Sequence, residues 1–181
     1  MEQGKTENEK RYNFIKKTQE IILQYERLNL PKNKYYDVTL LLNASVGLLF
    51  IAQQKYNSSF TSQRCKLEFN NWSDVANDVT ICKKYNYDKK IIEDEPVTIN
   101  SVCRHIRNSI AHCNFVMDTN KTDKVVAIIF DDYKNKSKVD HTFHLRISVE
   151  NFKELAMAIS NFILKKMDND KKTQKNKKKK K

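Results

Sequence analysis

The sequence is poor in the two residues that most often mark turns and loops. Its 181 residues include only two glycines and two prolines. This scarcity argues against a glycine-rich phosphate-binding loop and against a turn-dense β-sandwich. It favours long helices, and a chain of this length suits one domain with a sizeable core.

The chain also lacks features of secreted and membrane proteins. Its cysteines are Cys65, Cys82, Cys103 and Cys113. None forms a C-x-x-C pair, so we expect reduced thiols in a cytoplasmic protein. The N-terminal residues contain no apolar segment typical of a signal peptide. The most apolar stretch, residues 38–52, is interrupted by Asn43 and Ser45, and it is too short and too polar for a membrane span.

The net charge of +12 is concentrated at one end of the chain. Ten lysines and two aspartates between Lys165 and Lys181 contribute +8 of it. A run such as "KKTQKNKKKKK" repels itself, so we predict a single domain over residues 1–168 and a disordered tail over residues 169–181. The tail is either a solvated end or a source of sequence-independent attraction to nucleic acid.

Apolar residues at helical spacing predict most of the secondary structure. The expected helices are Glu7–Leu28, a strongly apolar helix from Val38 that Asp37 caps, a short helix Trp72–Tyr85, Thr98–Asn114, and a last helix that Ser148 caps. Two stretches look irregular, the polar residues 57–71 and the acidic "NYDKKIIEDEP", residues 86–96.

β-Branched and aromatic residues replace the helical period near residue 124. The segments "KVVAIIFDD" and "VDHTFHLRIS" flank the polar spacer "YKNKSK". This pattern is typical of a β-hairpin, at about residues 124–147. We therefore predict a mainly all-α fold, a helical bundle with one hairpin inserted before its final helix.

The helix around "SVCRHIRNSIAHCNF", residues 101–115, concentrates basic side chains. Its predicted core stripe is Ile99, Val102, Ile106, Ile110 and Cys113. The polar and ionisable side chains lie off this stripe and include no carboxylate. Arg107 and His112 are about 140° apart on an ideal helical wheel, so they do not project together. Either the helix unwinds near its end, or a second copy of the chain faces the first across a twofold axis.

Arginine and histidine together suit phosphodiester chemistry. Imidazole can take up and release protons near neutral pH. Guanidinium holds a phosphate and stabilises charge that grows on its oxygens. RNA brings its own nucleophile, the 2′-hydroxyl, so such a site needs no metal or cofactor. A solvated helix face with a histidine near its C-terminus is the alternative.

No metal site is predicted. Cys103 and His105 diverge on the helix, and the chain contains no recognised zinc spacing. His141 and His144 lie three residues apart on a predicted strand. With a period of two they point to opposite faces, where they do not readily chelate one ion.

The residues "RNSIAH", Arg107 to His112, match the R-x-x-x-x-H signature of the HEPN superfamily (higher eukaryote and prokaryote nucleotide-binding domains). The extended "IRNSIAHCNF" resembles a plasmid-type HEPN group in which a strand pair and a final helix follow the motif. The segment "YYDVTLLLNASVGLLF" resembles the hydrophobic helix of that group. The resemblance covers about residues 35–50 and 103–164.

The resemblance implies an all-α, usually dimeric fold. Many such proteins are metal-independent endoribonucleases of toxin–antitoxin, abortive-infection or CRISPR defence systems, whereas others are inactive or bind nucleotides or proteins. Carried over to this chain, it implies that Arg107 and His112 are catalytic and that Asn108 supports them. Arg104 and His105 are candidates for RNA phosphate contacts, with a solvated face as the alternative.

We therefore predict a homodimeric endoribonuclease without cofactor. Its partners are RNA and, as a toxin or antiviral effector, an antitoxin or another defence protein. The alternative is a non-catalytic HEPN module that binds RNA, a nucleotide or a protein partner.

Overall fold

The computed structural model describes residues 7–27, 38–48, 72–86, 88–134 and 139–179. The helices are α1 (Glu7–Arg27), α2 (residues 38–48), α3 (Trp72–Asp78), α4 (Ile99–Ala111) and α5 (Val149–Lys179). The strands are β1 (Val79–Asn86), β2 (Ile91–Asp94), β3 (Phe115–Thr119), β4 (Val125–Tyr133) and β5 (His141–Ser148).

The five strands form one antiparallel sheet in the order β2-β1-β5-β4-β3. The two edge strands, β2 and β3, are consecutive in the chain and are joined through α4. Because this connection starts at one edge of the sheet and ends at the other, α4 crosses the sheet and contacts β4. The helix with the basic residues therefore lies on a sheet and not only among other helices.

The two faces of the sheet have different surroundings. On the inner face Phe130 of β4 and Phe143, Leu145 and Ile147 of β5 are fully buried. Phe130 packs against Phe152 of α5, with ring centroids 5.3 Å apart. The alternate side chains of β5, His144 and Arg146, point to the outer face and are partly or largely exposed, as expected for a period of two.

Helices α1 and α5 run antiparallel along each other. Near one end the Lys153 Nζ atom lies 3.0 Å from a carboxylate oxygen of Glu26. Near the other end the Tyr12 hydroxyl donates to Asp168 at 3.3 Å. Helix α5 continues to Lys179, past residue 168. The division of the chain into a domain and a disordered tail stays a prediction.

One of the two glycines lies where two helices approach closely. A β-carbon at Gly47 of α2 would come within 2.8 Å of the Phe14 ring of α1. That distance is shorter than carbon atoms tolerate, so a side chain at this position would require the Phe14 ring to move.

The prediction of an all-α bundle with a single hairpin is wrong, because the sheet has five strands. The predicted helix Trp72–Tyr85 ends at Asp78, and Val79–Asn86 is strand β1. The predicted loop 86–96 contains β2, and Phe115–Thr119 is β3. These strands are four to eight residues long, and pairing with distant neighbours overrides their weak local preference.

Several predicted elements are confirmed. Helices α1 and α4 form within a few residues of their predicted bounds, and β4 and β5 pair as the predicted hairpin. The Ser148 hydroxyl accepts a hydrogen bond from the Asn151 amide at 3.1 Å, as an N-cap does. The predicted N-cap Asp37 and the irregular residues 57–71 lie outside the described residues. Within the described part of the chain, no helix is long and apolar enough to cross a membrane.

Candidate active site

Helix α4 begins at a capping box. The Thr98 hydroxyl accepts a hydrogen bond from the Ser101 amide at 3.1 Å, and the Ser101 hydroxyl accepts one from the Thr98 amide at 2.8 Å. The Ser101 hydroxyl also lies 3.0 Å from the Pro96 carbonyl oxygen, its acceptor. These bonds fix where the helix starts and therefore which side chains face the sheet.

The end of α4 is equally well defined. The Asn114 amide donates to the Ser109 carbonyl at 2.7 Å, and the Cys113 amide donates to the Ile110 carbonyl at 3.1 Å. This is a Schellman motif, with His112 as the C-cap and Cys113 in the left-handed region at φ 53°. The helix thus ends before Cys113, which is exposed instead of completing the core stripe.

We expect Cys113→Gly to stabilise the protein. A side chain at positive φ is strained, and glycine relieves that strain, so the free energy of unfolding should rise by about 0.5–1 kcal/mol. Urea denaturation measures this change. Cys113→Val, which places a β-branched residue at the same φ, should lower the free energy of unfolding. Equal stabilities for the two variants would contradict the left-handed geometry.

The interior side of α4 carries a buried histidine between two carboxylates. The His105 side chain is 2% exposed. Its Nδ1 atom lies 2.8 Å from Asp132 Oδ2 of β4, and its Nε2 atom lies 2.9 Å from Glu95 Oε1, just after β2. The imidazole stacks on the Phe143 ring, with centroids 4.6 Å apart and planes 7° from parallel. Arg104 also binds the Glu95 carboxylate.

The same network reaches the motif arginine through Asn108. The Asn108 Nδ2 atom donates to Asp132 Oδ2 at 3.0 Å, and its Oδ1 atom accepts from an Arg107 guanidinium nitrogen at 2.8 Å. The Tyr133 amide donates to the other Asp132 oxygen at 2.9 Å. Glu95, His105, Asp132, Asn108 and Arg107 thus form one chain of hydrogen bonds.

Two carboxylates, Glu95 and Asp132, lie on either side of the His105 ring. The Arg104 guanidinium also contacts this ring, 3.1 Å from the Nε2 atom. Burial alone would raise the pKa of Asp132, but the hydrogen bonds from His105 and Asn108 outweigh it and hold that pKa below its ordinary value.

The pKa of Glu95 is lowered in the same way, with burial opposed by His105 and Arg104. Burial also lowers the pKa of Arg107, and repulsion from Arg104 adds to this while Asp132 opposes it. Arginine nevertheless stays charged at any working pH. The network therefore holds a cationic guanidinium at the half-buried edge of α4.

Acid should destabilise the fold through these two carboxylates. Their folded pKa values lie below the ordinary 3.8 of Asp132 and 4.5 of Glu95. Their contribution to the free energy of unfolding is therefore complete above pH 4.5, and it is lost as the pH falls through their folded pKa values. Thermal melts between pH 7 and pH 3 measure the loss. Asp132→Asn and Glu95→Gln should each show a shallower decline below pH 4.5. Slopes identical to that of the unmodified protein would contradict the linkage.

The structure divides the sequence-predicted site residues into two groups. Arg104, His105, Asn108 and Arg107 belong to the hydrogen-bonded network, and His105 lies in the interior and not on an exposed basic face. His112 stands apart, exposed at the end of the helix. Among the described residues its side chain has no hydrogen-bond partner.

Sequence reasoning missed the two carboxylates that organise this network. Asp132 had a usable signal, since it continues the period-two row of Ile128 and Phe130, both fully buried. An acidic residue at the end of such a row needs a buried partner. Glu95 had no comparable signal, because its contact with His105 depends on β2 joining the sheet.

Two clusters of the described residues have ligand atoms close enough for a metal ion. In the first, ligand atoms of Cys82, Glu95 and His105 lie within 4.8 Å of one another. Burial raises the pKa of the Cys82 thiol and so disfavours the thiolate that binds metals. Glu95 is already bound by Arg104, whose positive charge repels a metal cation. The second cluster, Asp131, His141 and His144, lies on the outer face of the sheet.

One comparison with known proteins gives a match, and it covers most of the chain. A family model described as HEPN pEK499 p136 matches residues 1–170. No curated protein and no solved structure matches. The match includes α4 with its Arg107-to-His112 motif and also α1 and most of α5, so it covers much more than the motif.

Proposed function

The chain belongs to the HEPN pEK499 p136 family, and from this premise we propose that it is a metal-independent endoribonuclease. HEPN domains are commonly RNases and typically dimerise. In the proposal, Arg107 and His112 are catalytic, and the 2′-hydroxyl of the RNA is the nucleophile.

The observation that carries the proposal is the contrast between the two motif side chains. The Arg107 guanidinium is held at 2.8 Å by Asn108, which is itself anchored to Asp132. A preorganised cation of this kind stabilises charge on phosphoryl oxygens without having to be reoriented during the reaction. His112, by contrast, is exposed at the C-cap and without a side-chain partner among the described residues, so its ring is accessible to a substrate for proton transfer.

The hydrogen bond to Asn108 also sets the direction of the Arg107 side chain. Asn108 lies four residues before His112, on the same side of the helix. By binding Asn108, the Arg107 side chain is drawn around the helix towards that side. This supports a role for Asn108 as a positioning residue. Arg104 is bound to Glu95, and its side chain is 34% exposed, so we propose that it adds positive charge near the RNA without contacting the reacting phosphate.

The reaction needs one proton acceptor and one proton donor. One imidazole takes the proton from the 2′-hydroxyl as the O2′–P bond forms, and a protonated imidazole gives a proton to O5′ as the P–O5′ bond breaks. Arg107 stabilises the charge on the phosphoryl oxygens. The products are a 2′,3′-cyclic phosphate and a 5′-hydroxyl.

A second copy of the chain is the proposed source of the second imidazole. Of the other histidines, His105 is buried between carboxylates, and His141 and His144 are bonded to Asp131 on the outer face. His112 is thus the histidine available at this end of α4. A twofold axis beside it brings two copies of His112 and Arg107 into one cleft.

Incubation of the purified chain with RNA in EDTA tests the reaction. We expect cleavage with cyclic phosphate and 5′-hydroxyl ends, unchanged by EDTA. Dependence on added metal, or 5′-phosphate products, would overturn the mechanism. Salt-sensitive RNA binding without turnover would establish the alternative, a non-catalytic HEPN binding module.

We place this activity in a toxin or antiviral defence role, in which an antitoxin or another defence protein restrains the nuclease. Induced expression in a bacterial host should then arrest growth and degrade cellular RNA. His112→Ala at the same expression level should do neither. Equal arrest by both forms would contradict an RNase toxin.

A further inference from the structure

On the outer face of the sheet, two histidines share one carboxylate oxygen. The His141 Nε2 atom and the His144 Nδ1 atom each lie 2.8 Å from Asp131 Oδ1. All three side chains are partly exposed, at 30%, 33% and 22% respectively. The residues come from two neighbouring strands, β4 and β5, and belong to no part of the proposed RNase site.

A β-bulge brings the two histidines together. In a regular strand, residues three apart point to opposite faces, which led to the prediction that His141 and His144 diverge. The pairing of β4 with β5 shifts between Asp132 and Tyr133, so that Tyr133 is opposite His141. Thr142 becomes the extra residue and is buried. His141 therefore shares a face with Asp131 and His144, and the prediction of divergence is wrong.

Neighbouring rings orient the two imidazoles. Tyr133 stacks on His141, with centroids 4.8 Å apart and planes 18° from parallel. The His141 and His144 rings meet edge to face, 5.9 Å apart at 85°. The rings thus present one nitrogen each to a common point and do not stack on each other. Bulges recur where a strand redirects a side chain for function.

We propose that Asp131, His141 and His144 bind a divalent transition-metal ion such as Zn²⁺, which links β4 to β5 on the face opposite α4. Two imidazole nitrogens and one carboxylate oxygen form a donor set that suits zinc and related metals, whereas Mg²⁺ and Ca²⁺ prefer oxygen alone. The partial exposure of all three side chains leaves room for water to complete the coordination.

The geometry needs only a small adjustment to take the ion. Ligand atoms around tetrahedral zinc lie about 3.3 Å apart, given bonds of about 2.0–2.1 Å. The observed 2.8 Å separations from Asp131 Oδ1 are hydrogen bonds. A slight outward rotation of each ring opens the gap, and the ion then replaces the two N–H contacts.

The metal site is separate from the proposed cleavage site. Asp131 and Asp132 are consecutive, but they lie on opposite faces of β4, and Asp132 belongs to the α4 network. The ion therefore joins strands and does not touch RNA. Failure of this proposal leaves the RNase proposal intact, and loss of RNase activity has no bearing on metal binding.

Metal titration of the full-length, EDTA-treated and dialysed protein tests the proposal. We expect one equivalent of Co²⁺ to bind with visible d–d absorption, and Zn²⁺ to displace it. Asp131→Asn, His141→Gln and His144→Gln should each weaken Zn²⁺ binding, measured by calorimetry, by more than about tenfold, a loss that even outer-sphere partners can cause.

Two control variants locate the site. Asp118→Asn removes another carboxylate of the outer face, one that is paired with Arg146. Cys82→Ser removes a ligand atom of the first cluster. Both should bind Co²⁺ and Zn²⁺ as the unmodified protein does. Circular dichroism in EDTA verifies that each variant is folded, and a ligand variant that is not folded is replaced by Asp131→Ser.

Absence of stoichiometric Co²⁺ and Zn²⁺ binding by the unmodified protein would overturn the proposal. A Zn²⁺ affinity in the three ligand variants equal to that of the unmodified protein would overturn it as well, because the ion would then be bound elsewhere. Weaker binding only in Cys82→Ser would assign the metal to the first cluster and so also refute it.

Discussion

Replacing His112 by alanine is expected to abolish RNA cleavage while leaving the fold intact. A positioned acid or base contributes about 10²–10⁴-fold to such a reaction, so the cleavage rate should fall by at least about 10²-fold. His112 is exposed and makes no side-chain hydrogen bond to the described residues, so the melting temperature should stay unchanged. Single-turnover cleavage of a labelled RNA in EDTA measures the rate.

Conservative variants separate chemistry from structure. His112→Asn keeps a polar side chain at the C-cap but cannot transfer a proton, so it should be as inactive as alanine. Arg107→Ala should lower the rate by about 10²–10³-fold through lost charge stabilisation. Arg146→Ala removes an arginine on the outer face and should cleave normally. Full activity of His112→Asn would refute the proton-transfer role.

The composite cleft makes a separate quantitative prediction. When unmodified and His112→Ala chains are co-expressed in equal amounts, about one quarter of the dimers contain two intact chains. If both copies of His112 serve one cleft, the RNA-cleavage activity per chain in this mixture should be about one quarter of that of the unmodified protein. Activity near one half would mean that each chain cleaves on its own and would contradict the shared cleft.

The second large effect is expected on stability, from Asp132→Ala. Asp132 accepts hydrogen bonds from His105 at 2.8 Å and from Asn108 at 3.0 Å, at a position only 4% exposed. Its loss leaves the buried His105 ring and the Asn108 amide without this acceptor and opens a cavity beside them. Because His105 keeps Glu95 as a partner, we expect the free energy of unfolding to fall by about 3 kcal/mol. This is the lower end of the range for breaking a buried pair. The melting temperature should fall by roughly 10 °C.

The adjacent aspartate is the matched control. Asp131 lies on the outer face and is 22% exposed in its side chain, so Asp131→Ala should lower the free energy of unfolding by less than about 1 kcal/mol in metal-free buffer. Urea denaturation of both variants gives the comparison. Equal destabilisation, or an Asp132→Ala protein as stable as the unmodified chain, would show that the network around His105 does not hold the fold together.

Asp132 should also affect cleavage through Asn108. Without its carboxylate anchor, Asn108 no longer fixes the Arg107 guanidinium. Asn108→Ala tests this role while the hydrogen bond between Asp132 and His105 remains. We expect it to lower the single-turnover rate of RNA cleavage. Rescue by Asn108→Gln, which retains both an acceptor for Arg107 and an amide donor for Asp132, distinguishes positioning from a general loss of structure.

The sequence by itself determined the longer helices, the hairpin of β4 and β5, and the motif on α4. Helical periodicity over a dozen or more residues and β-branched runs of eight or nine are strong local signals. The family resemblance followed from "RNSIAH" and its place after an apolar helix. For the same reason Arg107, Asn108 and His112 could be singled out before any contact was known, and their catalytic roles stay predictions.

Only the tertiary structure decided the rest of the sheet and the environment of each ionisable group. Strands β2 and β3 have four and five residues, and β1 directly follows helix α3. Pairing of β1 with β5, of β2 with β1 and of β3 with β4 stabilises these strands more than local preference does. Because β2 and β3 lie at opposite edges, α4 crosses the sheet and His105 meets Asp132, 27 residues away. A single bulge in β5 turns His141 towards His144. Contacts between residues far apart in sequence, and a one-residue shift in register, leave no periodic signal in the chain.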